Sequence, residues 1–248
     1  MVAGIALMDS KKKVTISWSG GKDCAFALYK ILQSGNFEVA HVHTVVNTET
    51  KRVGMHGISE ALLRRQVDAL GLKLVVLYLE GSESHAAYET LMKNFYRQCV
   101  SEGIAAVVFG DIFLEDLKNF RDKMLKGEGL EGIYPLWKID SKKLIHDFVK
   151  VGFKTLLCAA NAKYFSEHHL GKTIDKQFID TMPAEVDVCG ENGEFHTFVY
   201  DGPIFKQSVV FQPGPVVEKV YEYKMTDDQG TAQIQSSRFL FKELLVKY

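Results

Sequence analysis

No apolar run in this 248-residue chain reaches the ~20 residues needed to cross a bilayer, so no membrane-spanning helix is expected. The start carries only a short apolar patch, Ile5 to Met8, with no basic segment ahead of it, and does not read as a signal peptide. Cysteine is scarce and scattered. Cys24, Cys99, Cys158 and Cys189 form no C-x-x-C pair, which argues against a disulfide scaffold or a zinc knuckle and fits a cytoplasmic protein with reduced thiols. An excess of one charge is missing too: 30 basic against 31 acidic residues leave a net −1. A general nucleic-acid binder draws its affinity from neutralising phosphates, so nucleic acid is not an expected partner, although a local basic cleft stays open. Internal repeats and low-complexity tracts are absent as well. What is there is ordinary for a globular protein: 46% hydrophobic and 25% charged residues, enough apolar surface to offset the entropy of ordering one to two domains.

Strand and helix patterns alternate through the first half. Strand-like runs cover Val14–Trp18, Val39–Val46, Lys73–Leu79 and Ile104–Phe109. Helical stripes cover Asp23–Gln33, Ser59–Leu70, Ser84–Ser101 and Phe113–Lys126, and Gly35, Gly71, Gly103 and Gly127 sit at or near their ends. Four such alternations predict βαβ units and a Rossmann-like parallel sheet covered on both faces. The character changes after Trp137. Ser141–Val151 reads as a helix and Lys154–Ala160 as a strand, while Gln207–Tyr223 and Ala232–Tyr248 alternate like antiparallel strands. We therefore expect an α/β domain over 1–138 and a smaller α+β domain over 139–248.

The sharpest local signal is Ser19-Gly20-Gly21-Lys22-Asp23-Cys24, which follows the first strand and opens the first helix. Two glycines permit a tight turn and close approach of a ligand. The first helical N–H groups and the helix dipole favour an anion, Ser19 adds a hydroxyl and Lys22 a point charge. Asp23 is a candidate helix cap or magnesium ligand. The alternative is an ordinary strand-to-helix turn. The G-x-G-x-x-G match at Gly127–Gly132 follows a helix and carries two acids, so it reads as a loop, and the Gly171-Lys172-Thr173 ending lacks the upstream glycine of a Walker loop.

Ligands of open parallel sheets bind beyond the carboxyl ends of the strands. Asn47 and Met55-His56-Gly57 follow the second strand, and Gly110-Asp111 follow the fourth, with Glu115 and Arg121 on the helix behind. Asp111 is either a helix N-cap or a ligand. His41 and His43 share one strand face with no evident third metal ligand, which favours a packed or solvated pair.

Residues 187–205 concentrate glycine, carboxylate, amide and imidazole. Glu191, Asn192, Glu194 and His196 are candidates for a polar site, and Cys189 for a nucleophile. The alternative is a glycine-rich turn into a strand, with Phe195, Phe198 and Val199 serving the core.

The Ser19–Cys24 segment resembles the PP-loop, SGGxDS, of the ATP pyrophosphatases (adenine nucleotide alpha hydrolase-like proteins), with Cys24 where serine is usual. Together with Cys189-Gly190-Glu191-Asn192-Gly193-Glu194-Phe195-His196-Thr197, Met55-His56-Gly57, Phe109-Gly110-Asp111-Ile112, Pro135-Leu136-Trp137 and Asp201-Gly202-Pro203, it resembles the diphthine–ammonia ligase family over nearly the whole chain. Val188 stands where the family usually has proline.

That resemblance implies a nucleotide domain of PP-loop type and ATP-dependent amidation. A carboxylate attacks the α-phosphate, pyrophosphate leaves, and ammonia displaces AMP. It implies ATP and Mg2+, with ATP held by Ser19, Gly20, Gly21, Lys22, Asp23, Cys24, Asn47, Met55, His56, Gly110 and Asp111, and the metal by Asp23 or Asp111. The acceptor falls to Glu115, Arg121, Cys189, Gly190, Glu191, Asn192, Gly193 and Thr197. Catalysis falls to Lys22, Glu191, Asn192, Glu194 and His196, with His196 or a glutamate taking a proton from ammonium. The acceptor is diphthine on elongation factor two or, because the chain looks most like bacterial-type members, an unidentified small carboxylic acid. Free ammonia is the simplest donor, and a homodimer is the base-rate expectation for an enzyme. The competing readings are a tRNA-modifying PP-loop enzyme and a non-enzymatic ATP/AMP-binding protein on the same fold.

Overall fold

A computed structural model describes residues 11–80, 85–226 and 232–247. The apolar patch Ile5–Met8 and the expected helix start at Ser84 lie outside the described residues. The elements are β1 (Lys12–Ser17), α1 (Lys22–Ser34), β2 (Phe37–Asn47), α2 (Glu60–Leu70), β3 (Leu74–Leu79), α3 (His85–Ser101), β4 (Ala106–Val108), α4 (Glu115–Gly127), β5 (Glu131–Ile133), α5 (Ser141–Lys150), β6 (Lys154–Asn161), α6 (Lys176–Asp180), β7 (Phe195–Asp201), β8 (Phe211–Thr226) and β9 (Ala232–Val246). No helix among the described residues is long and apolar enough to cross a membrane.

The first five strands form one parallel sheet in the order β3-β2-β1-β4-β5. Val14, Ile16, Val42, Val46 and Val108 are fully buried, as a sheet covered by helices on both faces requires. The order reverses between β1 and β4, so the chain leaves these neighbours in opposite directions and opens a crevice at their carboxyl ends. The loop Trp18–Gly21 leaves β1 there, and Gly110-Asp111 leaves the end of β4 beside it.

The last four strands form a separate antiparallel sheet, β7-β6-β9-β8. One continuous apolar core reaches from the first sheet to the second. Behind α1, Phe26 meets Phe148 of α5 and Phe153 edge-on, with ring centroids 5.7 and 6.1 Å apart, and Phe148 stacks on Phe153 at 4.6 Å. Buried aromatic clusters of this kind contribute beyond their area alone.

Three local expectations are corrected. β5 starts inside Gly127–Gly132, which read entirely as loop. Three residues are too short to show alternation, and neighbouring β4 supplies the pairing. Neither acid caps a helix: α1 starts from Gly21 and α4 from Leu114, both without a side-chain cap, because the carboxylates of Asp23 and Asp111 are held by Lys22 and Arg121. β8 begins at Phe211 rather than Gln207, since Val209 turns back to donate its N–H to the Tyr200 carbonyl at 2.7 Å.

The two sheets are tied at the loop after β1. The Val199 N–H of β7 donates to the Gly20 carbonyl at 3.0 Å, and the Lys22 N–H donates to Thr197 Oγ1 at 2.9 Å. Gln66 of α2, fully buried, completes the tie. Its Nε2 donates to the carbonyls of Gly20 (2.9 Å) and Val199 (2.6 Å), and its Oε1 accepts from Trp18 Nε1 at 2.9 Å. Replacing Gln66 by leucine keeps the volume but leaves buried polar groups unpaired. Gln66→Leu is expected to lower unfolding free energy by about 2–4 kcal/mol in urea titrations. A change under about 0.5 kcal/mol, the scale of an ordinary surface substitution, would contradict this role.

Candidate functional site

The crevice at the β1/β4 switch point is a cavity of about 550 Å3, walled by both sheets. The loop after β1 supplies Ser19 and the first turn of α1 Lys22, Asp23 and Cys24; the loop after β4 supplies Gly110 and Asp111; the second sheet and its preceding turn supply Gly190, Glu191, His196 and Thr197. Two glycines make this closeness possible. Gly20 sits at φ +85°, and a Cβ there would lie 2.9 Å from Leu63 Cδ1. At Gly110 a Cβ would lie 2.7 Å from the Asp23 carbonyl carbon, so the two loops touch backbone to backbone.

Lys22 is almost wholly buried, and its Nζ donates to both carboxylate oxygens of Asp23 at 2.7 and 2.8 Å. Burial opposes its charge, but the Asp23 carboxylate outweighs that and holds the ammonium protonated. Arg121 pairs with Asp111 and lies over the Phe109 ring, 4.4 Å from its centroid. Both cavity cations thus arrive paired with a carboxylate. Among the described residues no three His, Cys, Asp or Glu side chains converge to cage a metal.

Glu191 faces the cavity from the second half of the chain. Its Oε1 accepts from the Ile112 N–H at 2.8 Å, tethering this turn to the loop after β4. Burial pushes its carboxyl up to about 7. His56 and His196 pack ring against ring, centroids 4.5 Å apart. Burial lowers His56 to about 4 and His196 well below the ordinary range, so both are neutral at pH 7. His56 Nδ1 is buried with no partner among the described residues.

Met55, Arg121 and Gly193 also line the cavity, and Gly21 is the N-cap residue of α1 beside it. Five expected residues are not brought to it. Asn47 Oδ1 accepts from the Glu49 and Thr50 N–H groups, closing the turn after β2. Glu115 is exposed and paired with Lys138. Glu194 is buried inward, where Oε1 accepts from the Asp187 N–H and from Asn192 Nδ2, so both side chains brace the turn itself. Cys189 donates to the Ser141 carbonyl, and burial pushes its thiol up to about 12, the opposite of an activated nucleophile. Cys24, also raised by burial, donates to the Gly21 carbonyl at 3.1 Å, beside the Ser19 hydroxyl.

Sequence reasoning missed Gln66, Tyr88, Met92, Leu114 and Leu117. Gln66 alone left a signal, as the one polar residue on the apolar stripe of α2.

A parallel sheet with a glycine-rich loop and buried lysine at its switch point defines the Rossmann-like nucleotide-binding class of α/β proteins. Comparison narrows this. The model for the diphthamide synthase N-terminal domain matches residues 12–132 and that for the C-terminal domain residues 140–238. The chain belongs to the diphthamide synthase family. It is similar to the diphthine–ammonia ligase of Homo sapiens, 27% identical over 225 residues that cover 80% of this chain and 82% of that one. The Danio rerio ligase is 24% identical, covering 77% and 83%. The Schizosaccharomyces pombe ligase is 32% identical over 119 residues, 46% of this chain, which spans only 20% of that longer protein. A looser structural overlap, TM-score 0.36 at 12% identity over 58% of this chain and 59% of the other, is with the U34-tRNA thiolase NcsA from Methanococcus maripaludis.

All four cysteines are buried. Iodoacetamide at pH 8 is expected to leave the native protein unmodified and to alkylate all four after unfolding in guanidinium, as read by intact mass. Rapid native alkylation at Cys189 would contradict the burial that raises its thiol.

Proposed function

We propose that the chain is an ATP-dependent ligase that activates a carboxylate as its adenylate and passes the acyl group to ammonia. The observation that carries this reading is that the polar turn Gly190–Thr197 faces the phosphate-type loop Ser19–Lys22 across a single cavity. The family and the names of its relatives support it.

The acceptor carboxylate oxygen attacks the α-phosphorus and pyrophosphate leaves. The nitrogen of ammonia then attacks the acyl carbon, AMP leaves, and one proton must be taken from the new amide nitrogen. The Lys22 N–H of α1 is taken by Thr197, and the N–H groups that follow it, with Ser19 Oγ and Lys22 Nζ, are placed to stabilise charge on the departing pyrophosphate. A phosphate reaching Lys22 competes with Asp23 for it and frees that carboxylate. Asp23, with Asp111, could then hold Mg2+ against the phosphates; this ion usually takes only one or two carboxylates beside substrate oxygens. Magnesium would supply charge neutralisation there.

Glu191 is the better proton acceptor. Burial holds it near 7, whereas the two histidines are too weakly basic to keep the proton released from the new amide nitrogen. The acceptor belongs to the carboxylate class of diphthine on elongation factor two, or is a small carboxylic acid.

The test is product analysis with ATP, Mg2+ and ammonium against diphthine-bearing elongation factor two and a panel of small carboxylic acids. AMP and pyrophosphate with one acceptor are expected; ADP and phosphate would overturn the adenylate route. Lys22→Ala is expected to lower kcat by roughly 100-fold or more, since it removes a preorganised charge at the leaving group. Glu191 is protonated below about 7 and basic above it. At a fixed concentration of free ammonia, turnover should therefore rise with pH through about 7, and Glu191→Gln should abolish that limb. An unchanged pH profile in the variant would remove Glu191 from the proton transfer.

A further inference from the structure

A second, smaller hollow of about 250 Å3 lies beside the cavity, between the turn after β2 and the strands β8 and β9. Gly54 and Met55 line both, so the two share a wall. A run of rings joins them along the second sheet. The His196 ring of the cavity lies 6.4 Å from that of Phe239, which lies 6.2 Å from Phe241, a lining residue of the hollow. Phe241 is held from the other side by the turn. Gly57 sits at φ +67°, and a Cβ there would lie 2.6 Å from Phe241 Cδ1. The hollow therefore adjoins the wall of the cavity that belongs to the second sheet, away from the loop after β1.

Two cations and no carboxylate line the hollow. Arg52 is already bonded: Nη1 donates to the Gly57 carbonyl at 2.6 Å and Nη2 to Glu243 at 2.7 Å. Lys219 differs. It is exposed on β8, its Nζ lies 5.6 Å from the Phe241 centroid, and no carboxylate among the described residues pairs with it. Asn47 adds a donor. Its Oδ1 accepts from the Glu49 and Thr50 N–H groups, so Nδ2 points away from that turn, and it donates to no described residue. An open aromatic face suits a cation, but that of Phe241 is taken by Lys219. The unmatched charge and the amide donor suit an anion instead. We propose that this hollow receives a second carboxylate of the acceptor, held by Lys219 and Asn47, and that the preferred acceptor is a small dicarboxylic acid whose other end reaches the cavity past Met55. The inference rests on the ligase reading and narrows its acceptor.

The test is equilibrium binding of adipate, hexanoate and 5-(trimethylammonio)pentanoate, which carry a carboxylate, a methyl or a quaternary ammonium on the same chain of four methylenes. The same three end groups on two and on six methylenes allow for reach. Occupation is read from the 13C-labelled methyl signal of Met55, on the shared wall. At one chain length or more, the diacid is expected to bind about three- to tenfold more tightly than the methyl-ended acid, the scale of an exposed ion pair with one added hydrogen bond. The quaternary ammonium acid should bind most weakly. Lys219→Gln should remove the preference and Lys219→Arg should keep it. A diacid bound no more tightly than its methyl-ended partner at every length would overturn the proposal, as would tightest binding of the quaternary ammonium acid, a preference that survives in Lys219→Gln, or no binding of any probe. Binding is read without turnover, so each of these outcomes strikes this subsite alone, whereas ADP and phosphate as products would strike the ligase reading.

Discussion

Everything at the site depends on the shape of one carbonyl-rich turn, and that turn is held by a buried amide. Gln66 grips the Gly20 and Val199 carbonyls with one nitrogen and the Trp18 indole with its oxygen. The backbone of β7 completes the grip on Gly20, and Thr197 takes the Lys22 N–H. The first N–H groups of a helix have no partner inside the helix. Here the loop before them is stabilised from behind, by an α2 side chain and by the edge of the second sheet. The second sheet therefore shapes the loop as well as walling the cavity. The close approach at Gly110 adds a third support from the loop after β4.

The same economy governs charge. Burying a lone ammonium costs several kcal/mol, so Lys22 is kept with Asp23 and Arg121 with Asp111. These pairs keep the net charge of the cavity low. Glu191 stands apart, bonded only through backbone N–H groups and raised by burial into the range where a carboxylate can exchange protons at neutral pH. The neighbouring histidines are held neutral. The cavity thus sets paired charges on the first sheet against a raised carboxyl on the turn before the second.

Much of this was legible in the chain. The β1–loop–α1 unit could be read because its signals are contiguous: a strand run, two glycines, a lysine and an amphipathic helix. The parallel order followed from alternation, and the Gly190–Thr197 turn stood out by its density of polar residues. What stayed hidden is non-local. That Asn192 and Glu194 brace their own turn depends on a reversal at Asp187 that no periodicity marks. Glu115 faces solvent because α4 starts at Leu114, one turn further from the crevice than a helix capped by Asp111 would. His43 read as half of a packed pair, and packed it is, against Phe95 and the Thr15 hydroxyl of the adjacent strand. Strand β5 is too short to show a period and exists because β4 offers it an edge.

On the proposed function, a triphosphate lies across the first turn of α1 with its leaving end at Lys22. The most direct measurement is a crystal structure of the protein with Mg2+ and α,β-methylene-ATP, which cannot be cleaved at the bond in question. Phosphate oxygens are expected within hydrogen-bonding distance of Lys22 Nζ and Ser19 Oγ, with the α-phosphate exposed toward Glu191. A nucleotide bound elsewhere, or one whose γ-phosphate rather than α-phosphate faces Glu191, would contradict it.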